Sequence, residues 1–562
     1  MSHWSPYQGE RYLDWAQVES WCTQAAAEHP DWVSLKEVGQ SREGRPLILM
    51  TIGAQDEHVD SRPAFWLDGG THAAEWTGVM AALHAVSSWI EKLRNGDEAE
   101  VEYFGSHTVY VMPCISPDGF EALVQGAPFI RSSVRLSPNS EHRVGLDPQD
   151  IDGDGAVRWM RWKHPAGPYV ADPDCPMFMR PRRLDDSPDD AWFFCAEGLF
   201  LNWDGTRWTH AATRFGLDLN RNFPGHWAPF SMFGMDGGVY PLSEPESRAV
   251  VDTFAPRQNI AAALTNHTYT GCILTQPYRQ DSPLQQSDIL LMERMARDAV
   301  EGTDYRVIRV VPDFVYDPKK DIVGVWSDTM STNFGVPAYT LELWDPFKFA
   351  GVENEKPADF FSRPDPEKIK SMIEAFSEVD GAVSQWTPFD HPQLGPVEIG
   401  GIDYMRTVRN PPEHLLTGEC ERGRVVTDRL RKSLPKVVAE ATVTMVERDL
   451  FRVDLCLENL GFLSTSGLAH GESLPGTLPV QAELTLSDGL SLETGTHVTK
   501  IGHLDGWGSY AGGGLHSVYP GLPSRGHRGH VSWWLRGQGA GEITWTAGRG
   551  GGGVVTFSAE TD

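Results

Sequence analysis

The sequence is poor in cysteine pairs, in basic charge and in long apolar runs. Its seven cysteines stand singly, with no Cys-x-x-Cys pair and an odd total, which excludes a disulfide framework. The formal net charge of -29 argues against a basic surface for nucleic acid or for an anionic membrane. No window approaches about eighteen apolar residues, and residues 1–10 lack a basic region followed by an apolar stretch. We therefore expect a cytoplasmic protein with no nucleic-acid or membrane partner.

The chain is long and apolar enough to bury a large core. With 562 residues, 40% hydrophobic and 22% charged, it is expected to fold as two domains. Short apolar runs alternate with helical patterns and predict an α/β domain over residues 1–434, with a mixed, mostly parallel sheet flanked by helices. Residues 435–562 alternate polar and apolar positions between glycine-rich turns, which predicts an all-β antiparallel sandwich.

Two stretches of the first domain lack clear periodicity. Residues 120–215 are rich in proline, aspartate and tryptophan, and long irregular segments in compact domains are typical of functional loops. We therefore interpret them as a wall or lid of a cleft. Residues 391–396 contain two prolines and a glycine and are interpreted as a loop.

Three residues offer a complete metal site. His72 and Glu75 follow the apolar run Ala64–Leu67, and His267 ends a second apolar run about two hundred residues later. Two imidazoles and one carboxylate suit a catalytic Zn²⁺ with an open fourth position, and the carboxyl ends of neighbouring strands bring such residues together. His-x-x-Glu alone is weak evidence, because both residue types are common on solvated surfaces.

Further motifs strengthen this interpretation. Asp218-x-Asn220-Arg221 precedes His267, and Leu341-Glu342-Leu343 follows it. In this order, together with Gly39-x-Ser41-x-Glu43-Gly44-Arg45 and Ser116-Pro117-Asp118-Gly119, they make the chain resemble the zinc metallocarboxypeptidases of the carboxypeptidase A type over roughly residues 6–385. That family usually has Asn where Ser116 stands. Family members made as inactive precursors carry a long pro-segment before the first helix, so we expect an enzyme made ready to act.

The resemblance implies a zinc-dependent hydrolase, with one Zn²⁺ per chain, that removes the C-terminal residue of a peptide. Glu342 matches the family's general base, and a carboxylate that is costly to desolvate at the end of an apolar strand has a raised pKa suited to that role. A rim carboxylate in a salt bridge is the alternative for Glu342. Peptides with a free C-terminal carboxylate are the expected substrates.

Asn220 and Arg221 suit recognition of that carboxylate, since a planar guanidinium binds a carboxylate through two parallel hydrogen bonds. An Arg in a loop is otherwise usually a surface charge. By resemblance, Asp218 accepts the second ring proton of His72, which orients a zinc-bound imidazole, although a simple loop cap would also explain it.

Two further assignments rest on less complete matches. For the oxyanion stabiliser we favour Arg161, whose setting resembles the family's Trp-Arg-Lys, and hold Arg158 as second choice. Tyr316 lies ten residues before Trp326, near where the family has a mobile Tyr that contacts substrate, although its flanking sequence does not match.

Asp150-Ile151-Asp152-Gly153-Asp154-Gly155 resembles the opening of an EF-hand loop. Its twelfth position is Arg161 instead of the bidentate Glu, which excludes a full EF-hand. We favour an acidic turn that shapes the cleft, with a Ca²⁺ ion bound together with other loop carboxylates as the alternative.

Two other functions stay open on the sequence. A zinc-dependent amidase or deacylase acting on amino-acid conjugates or cell-wall peptides would use the same ligands. A catalytically inactive binding protein is the other alternative, although the retention of Glu342 and all three ligands argues against it.

Overall fold

The computed structural model describes residues 3–137, 140–232, 234–317, 320–353, 356, 358–509, 518 and 526–560. The helices, in chain order, are α1 (Trp15–Glu28), α2 (Trp76–Arg94), α3 (Glu98–Ser106), α4 (Pro117–Val124), α5 (Pro245–Phe254), α6 (Gln286–Val300), α7 (Val310–Asp313), α8 (Trp326–Thr332), α9 (Pro346–Phe349), α10 (Asp359–Ser362), α11 (Pro366–Ser377) and α12 (Glu413–Arg431). Among the described residues, no helix combines the length and apolar character needed to cross a lipid bilayer.

The strands that precede α12 build two larger sheets and two small ribbons. They are β1 (Val33–Gln40), β2 (Pro46–Ile52), β3 (Ala64–Gly69), β4 (Thr108–Met112), β5 (Gly145–Pro148), β6 (Trp159–Lys163), β7 (Tyr169–Ala171), β8 (Met179–Pro181), β9 (Ala191–Ala196), β10 (Gly198–Leu201), β11 (Ser231–Met232), β12 (Met235–Asp236), β13 (Ile260–Thr268), β14 (Cys272–Thr275), β15 (Arg306–Arg309), β16 (Ala338–Leu343), β17 (Val383–His391) and β18 (Gly395–Ile402).

The central sheet has eight described strands in the order β1-β2-β4-β3-β13-β16-β14-β15. Its middle four strands, β4, β3, β13 and β16, run parallel, whereas the pairs β1-β2, β2-β4 and β14-β16 are antiparallel. Helices α2, α5, α6 and α8 pack against it. The predicted mixed α/β sheet flanked by helices is confirmed. Strands β3 and β13 are buried along their whole length because helices cover both faces of the sheet.

Two glycines bring α2 close to the end of this sheet. A Cβ on Gly69, the last residue of β3, would lie 2.6 Å from the carbonyl oxygen of Gly78 in α2. A Cβ on Gly78 would lie 2.7 Å from the carbonyl oxygen of Asn266 in β13. Only glycine allows these backbones to approach so closely, and the approach holds the loop between β3 and α2 over the sheet edge.

The interpretation of residues 120–215 as irregular is wrong in part. Strands β6, β7, β8 and β9 fall within this stretch and join β17 and β18 in a six-stranded sheet, ordered β17-β18-β6-β9-β7-β8. The predicted loop at residues 391–396 is reduced to the turn between β17 and β18. In β9, for example, the aromatic residues Phe193 and Phe194 are adjacent and both are half-buried. Apolar side chains therefore point to both faces of the strand, and the sequence does not alternate between polar and apolar positions.

The C-terminal region is all β. Its strands are β19 (Val437–Glu447), β20 (Leu450–Asn459), β21 (Val480–Leu486), β22 (Leu490–Thr494), β23 (Val498–Gly502), β24 (Arg528–Gly537), β25 (Gly539–Thr546) and β26 (Gly552–Ala559). They form two antiparallel sheets, β19-β20-β24-β22 and β23-β21-β25-β26, which share one apolar core around Trp533 and Leu455. The predicted all-β antiparallel architecture is confirmed.

Candidate functional site

Three neighbouring parallel strands deliver the candidate metal ligands and the candidate base to one edge of the central sheet. His72 and Glu75 lie in the loop that follows β3 and precedes α2. His267 lies near the end of β13, which pairs with β3, and it is in register with Glu342 on β16. Because these strands are parallel and adjacent, their carboxyl ends meet, and the four side chains converge.

The two histidines and Glu75 form a tight buried cluster. His72 Nδ1 lies 3.0 Å from Glu75 Oε1, His267 Nδ1 lies 2.8 Å from Glu75 Oε2, and the two Nδ1 atoms are 2.9 Å apart. The three side chains can offer ligand atoms that all lie within 4.8 Å of one another. Two imidazole nitrogens and one carboxylate facing a common point fit a catalytic zinc ion, which keeps a further position open.

Asp218 fixes the orientation and the tautomer of His72. Its Oδ1 lies 3.0 Å from His72 Nε2, so the proton of that nitrogen is held by the carboxylate and Nδ1 is left free to bind a metal. Burial opposes ionisation of Asp218, but the charges of His72, Arg221 and Arg131 outweigh it, and the pKa of Asp218 lies well below its usual range. The structure therefore places Asp218 next to His72, in the contact that the resemblance implied.

Glu342 lines a cavity of about 350 Å³ beside this cluster. Desolvation, reinforced by the negative charge of Glu75, raises the pKa of Glu342 well above its usual value, although Arg131 and Arg409 act against the shift. A carboxylate with a raised pKa next to a metal site is suited to accept and return a proton.

Arg221 also lines the cavity, whereas the neighbouring Asn220 is buried and is not one of the lining residues. The carboxamide oxygen of Asn220 accepts a hydrogen bond from the backbone N–H of Trp326 at 2.8 Å. The guanidinium of Arg221 lies 5.1 Å from the ring centre of Phe230. Tyr316 lines the same cavity, and burial raises its pKa to about 12, so it stays a neutral hydrogen-bonding phenol. The structure therefore brings Arg221, Tyr316 and Glu342 to one cavity.

Arg161, the favoured oxyanion stabiliser, lies elsewhere. Its Nε donates to Glu398 Oε2 at 2.7 Å, and its guanidinium stacks between Trp192 and Trp386, 4.5 and 4.1 Å from the ring centres. It belongs to β6 of the six-stranded sheet and is absent from the residues that line the cavity. The assignment of Arg161 is not supported, because its guanidinium is fully used in holding that sheet together. The second choice, Arg158, bonds instead to Asp154 and to the carbonyl oxygen of Gly401.

Arg131, which sequence reasoning did not single out, contacts the ligand cluster and lines the cavity, whereas Arg161 does neither. Arg131 Nη1 lies 2.8 Å from Glu75 Oε1, its Nε lies 3.6 Å from Asp218 Oδ2, and its side chain lines the cavity. The backbone carbonyl of Arg131 also accepts from the N–H of Ala73, next to His72, at 2.8 Å. No recognisable motif in the sequence surrounds Arg131.

A second missed group comes from residues 405–410. Arg409 Nη1 lies 3.3 Å from Glu75 Oε1, and Arg409 Nη2 donates to the hydroxyl of Tyr404 at 2.9 Å. The side chain of Asn410 accepts from both the N–H and the hydroxyl of Thr77, each at 3.1 Å, and donates to the carbonyl of Ala74 at 2.9 Å. This segment is thereby fastened to the loop that carries the metal ligands. No local sequence motif identifies residues 405–410 as part of the site.

The acidic turn forms a second carboxylate cluster, away from the cavity. Asp150, Asp152 and Asp154 lie near the buried Glu197, with ligand atoms within 4.8 Å of one another. Glu197 accepts hydrogen bonds from the backbone N–H groups of Ile151 and Arg158, at 3.0 and 2.7 Å, and burial raises its pKa to about 7. These bonds fit the favoured interpretation of an acidic turn, and the calcium alternative stays a prediction.

Comparison with known proteins identifies relatives of the first domain. A sequence model described as zinc carboxypeptidase matches residues 18–151 and 200–363, just over half of the chain. Carboxypeptidase B of Astacus astacus is 29% identical over 109 residues, which are 19% of this chain and 34% of that protein. Mast cell carboxypeptidase A of Rattus norvegicus is 28% identical over 319 residues, 55% of this chain and 57% of that protein. The chain thus spans about a third of the length of the Astacus astacus protein and just over half of the length of the Rattus norvegicus protein.

A solved structure and a second sequence model complete the comparison. Bovine thrombin-activatable fibrinolysis inhibitor in complex with tick carboxypeptidase inhibitor is 19% identical in sequence. The superposed region includes 65% of this chain and 96% of the bovine chain, with a TM-score of 0.38. Residues 437–559 match a domain of unknown function, DUF8731. The match of the zinc carboxypeptidase model over more than half of the residues shows that this chain belongs to the zinc carboxypeptidase family.

Proposed function

We propose that this protein is a zinc-dependent metallocarboxypeptidase that hydrolyses the C-terminal peptide bond of peptides, with one Zn²⁺ per chain held by His72, Glu75 and His267. The observation that carries the proposal is one cavity lined by Glu75 of this ligand cluster, by the half-buried Glu342 and by Arg221. A hydrolytic centre and a carboxylate anchor in the same cavity are what removal of a terminal residue requires.

The metal, when bound, supplies Lewis acidity and lowers the pKa of a coordinated water. Glu342 accepts the proton of the attacking water and then donates it to the leaving amine, which its raised pKa favours. Arg131, on the cavity wall beside Glu75, donates hydrogen bonds to the oxygen that becomes negative during attack. Arg221 binds the terminal carboxylate of the substrate, and Asn220 supports the turn from which Arg221 projects.

The walls around Arg221 indicate which C-terminal residue fits. Phe230, Met232, Met235 and Phe314 line the cavity together with Arg221. An apolar wall favours an apolar side chain over a charged one, since a charged group would lose its hydration without gaining a partner. We therefore propose an apolar or aromatic C-terminal residue.

The test combines metal analysis with two matched sets of peptides, one with free and one with amidated C-termini. We expect about one zinc per chain and release of amino acids from the free set only, because Arg221 requires a carboxylate. Equal cleavage of amidated or acylated compounds would indicate the amidase or deacylase. Zinc-free protein without hydrolysis would indicate a binding protein.

A further inference from the structure

Buried arginines in this protein are mostly paired with a carboxylate. Seven arginine side chains are buried among the described residues, and five of them form an ion pair, namely Arg143 with Asp147, Arg158 with Asp154, Arg161 with Glu398, Arg409 with Glu75 and Arg431 with Glu100. The other two, Arg221 and Arg549, form no ion pair within the part of the chain that the structure describes. Arg221 is the proposed anchor of the substrate carboxylate, so Arg549 is the candidate for a second anion site.

Arg549 lies in the turn between β25 and β26, and its side chain is only 4% exposed. Its Nε donates to the carbonyl oxygen of Ser466 at 3.1 Å, and its two Nη atoms donate to the carbonyl oxygens of Ile260 and Phe334. These carbonyl groups satisfy N–H donors but bring no negative charge, and burial accordingly lowers the pKa of Arg549 to about 10. A bound anion would supply the missing charge.

Arg549 lines a cavity of about 80 Å³ between the first domain and the C-terminal region, the seam cavity. The first domain contributes Arg257, Gln258 and Asn333 to its wall, and the C-terminal region contributes Thr477 and Arg549. Among the described residues, none lines both the seam cavity and the catalytic cavity. About 10–15 Å³ is enough for one water molecule, so the seam cavity has room for a small polyatomic ion.

Arg257 brings a second unpaired guanidinium to the seam cavity. Within the described residues it forms no ion pair; its Nη1 donates to the carbonyl oxygen of Thr253 at 2.6 Å, and its guanidinium lies 5.0 Å from the ring centre of Tyr110. Its Nε is buried and has no hydrogen-bond partner among the described residues. An unsatisfied buried donor is costly, and no Asp or Glu is among the described residues that line the cavity. The seam cavity therefore combines positive charge with a donor that lacks an acceptor.

We propose that the seam cavity binds a small tetrahedral oxyanion of the phosphate class between Arg257 and Arg549. Guanidinium groups form strong charge-assisted hydrogen bonds to phosphate oxygens, and the carboxamide of Asn333 and the hydroxyl of Thr477 offer further donors. Because Arg549 also bonds to the first residue of β13 and to the segment before β16, the anion strengthens the attachment of the C-terminal region to the central sheet. Binding at this separate cavity does not depend on the proposed hydrolysis.

The first test measures binding of inorganic phosphate to the full-length protein by calorimetry and thermal unfolding, with sodium chloride keeping the ionic strength constant. We expect phosphate to raise Tm until the site is saturated, because a ligand that binds only the folded state stabilises it. Arg257→Gln should weaken binding at least about tenfold. Arg248→Gln is the matched control, since Arg248 is an exposed arginine of α5 that bonds to the carbonyl of Leu242 and does not line the cavity. Equal phosphate affinity of folded Arg257→Gln and wild type would overturn the proposal.

The second test separates the seam cavity from the catalytic cavity, where Arg221 offers phosphate a competing site. We expect Arg221→Gln to keep the rise of Tm with phosphate and Arg257→Gln to lose it. The opposite pattern would place the phosphate in the catalytic cavity and refute the seam site. Phosphoserine is titrated beside inorganic phosphate: tighter binding of phosphoserine assigns the site to a phosphate ester, and tighter binding of inorganic phosphate assigns it to the free ion.

Discussion

The eight-stranded and the six-stranded sheet differ in how deeply their strands are buried and in what they contribute. In the eight-stranded sheet, β3 and β13 are buried along their whole length, and the ligand loop and His267 follow from their ends. In the six-stranded sheet, β9 and β17 are mostly half-buried or exposed, and Trp159, Tyr169 and Phe194 line a hollow of about 730 Å³. The first sheet lies inside the zinc carboxypeptidase match and the second outside it.

The eight-stranded sheet therefore carries the ligand cluster and Glu342, whereas the six-stranded sheet carries neither. A fully buried strand holds the residues at its end in fixed positions, as a metal site and a general base require. A half-buried sheet with open aromatic faces offers surface for binding and tolerates change more readily. Substitutions at the ends of strands in the first sheet are therefore expected to change kcat, whereas substitutions in the second are expected to change stability.

The largest effect is expected at Glu342. Glu342→Gln removes the proton acceptor and leaves all three metal ligands in place, so kcat should fall about 10³-fold while zinc content stays at the wild-type level. Steady-state kinetics and elemental analysis measure the two quantities. Glu57→Gln, at an exposed position, is the control. Turnover within tenfold of wild type would remove Glu342 from the mechanism.

Arg131→Met should rank second. The variant keeps an unbranched apolar stem but removes the hydrogen-bond donors beside Glu75, so kcat should fall about 10²-fold, with a smaller change in KM. Zinc content is measured in parallel, because Arg131 also contacts a metal ligand. A rise in KM at unchanged kcat would assign Arg131 to ground-state binding only.

Arg409→Met should have a smaller effect, of about tenfold on kcat, because Glu75 keeps Arg131 as a partner when Arg409 is lost. Methionine keeps the apolar stem of the side chain and removes the guanidinium that lies over Tyr269 and Tyr404. Arg406→Met is the matched control, since Arg406 lies in the same turn but pairs with Asp403. Equal behaviour of the two variants would show that Arg409 has no special relation to the ligand cluster.

The central sheet and the ligand cluster could be predicted because each depends on short stretches of sequence. Apolar runs such as Ala64–Leu67 mark buried strands without knowledge of their neighbours, and a ligand directly after a strand must lie at the sheet edge. His72, Glu75 and His267 therefore converge as the sequence suggested. The C-terminal sandwich was recognisable from its alternating strands and turns. The domain boundary at residue 435 and the cytoplasmic location stay predictions.

The rest of the site depends on distances that no local pattern records. Arg131 and Arg409 reach Glu75 from segments that are separated from it by 56 and 334 positions, and neither stands in a recognisable motif. The six-stranded sheet was missed because β6 to β9 are short, and because β6 pairs with β18, more than two hundred residues away. In each case the position of the residue or strand depends on a contact with a segment that is distant in the sequence.

Arg161→Met should have the smallest effect on catalysis and provides the sharpest contrast with Arg131→Met. Arg161 bonds to Glu398 and stacks between Trp192 and Trp386, so the variant should lose about 1–3 kcal/mol of unfolding free energy. Because Arg161 does not line the catalytic cavity, kcat/KM for a dipeptide should stay within about twofold of wild type. Chemical denaturation and steady-state kinetics on the same preparation measure both. A loss of kcat as large as that of Arg131→Met, in a fully folded variant, would return the oxyanion role to the Trp-Arg-Lys segment and place the six-stranded sheet within the chemistry of the enzyme.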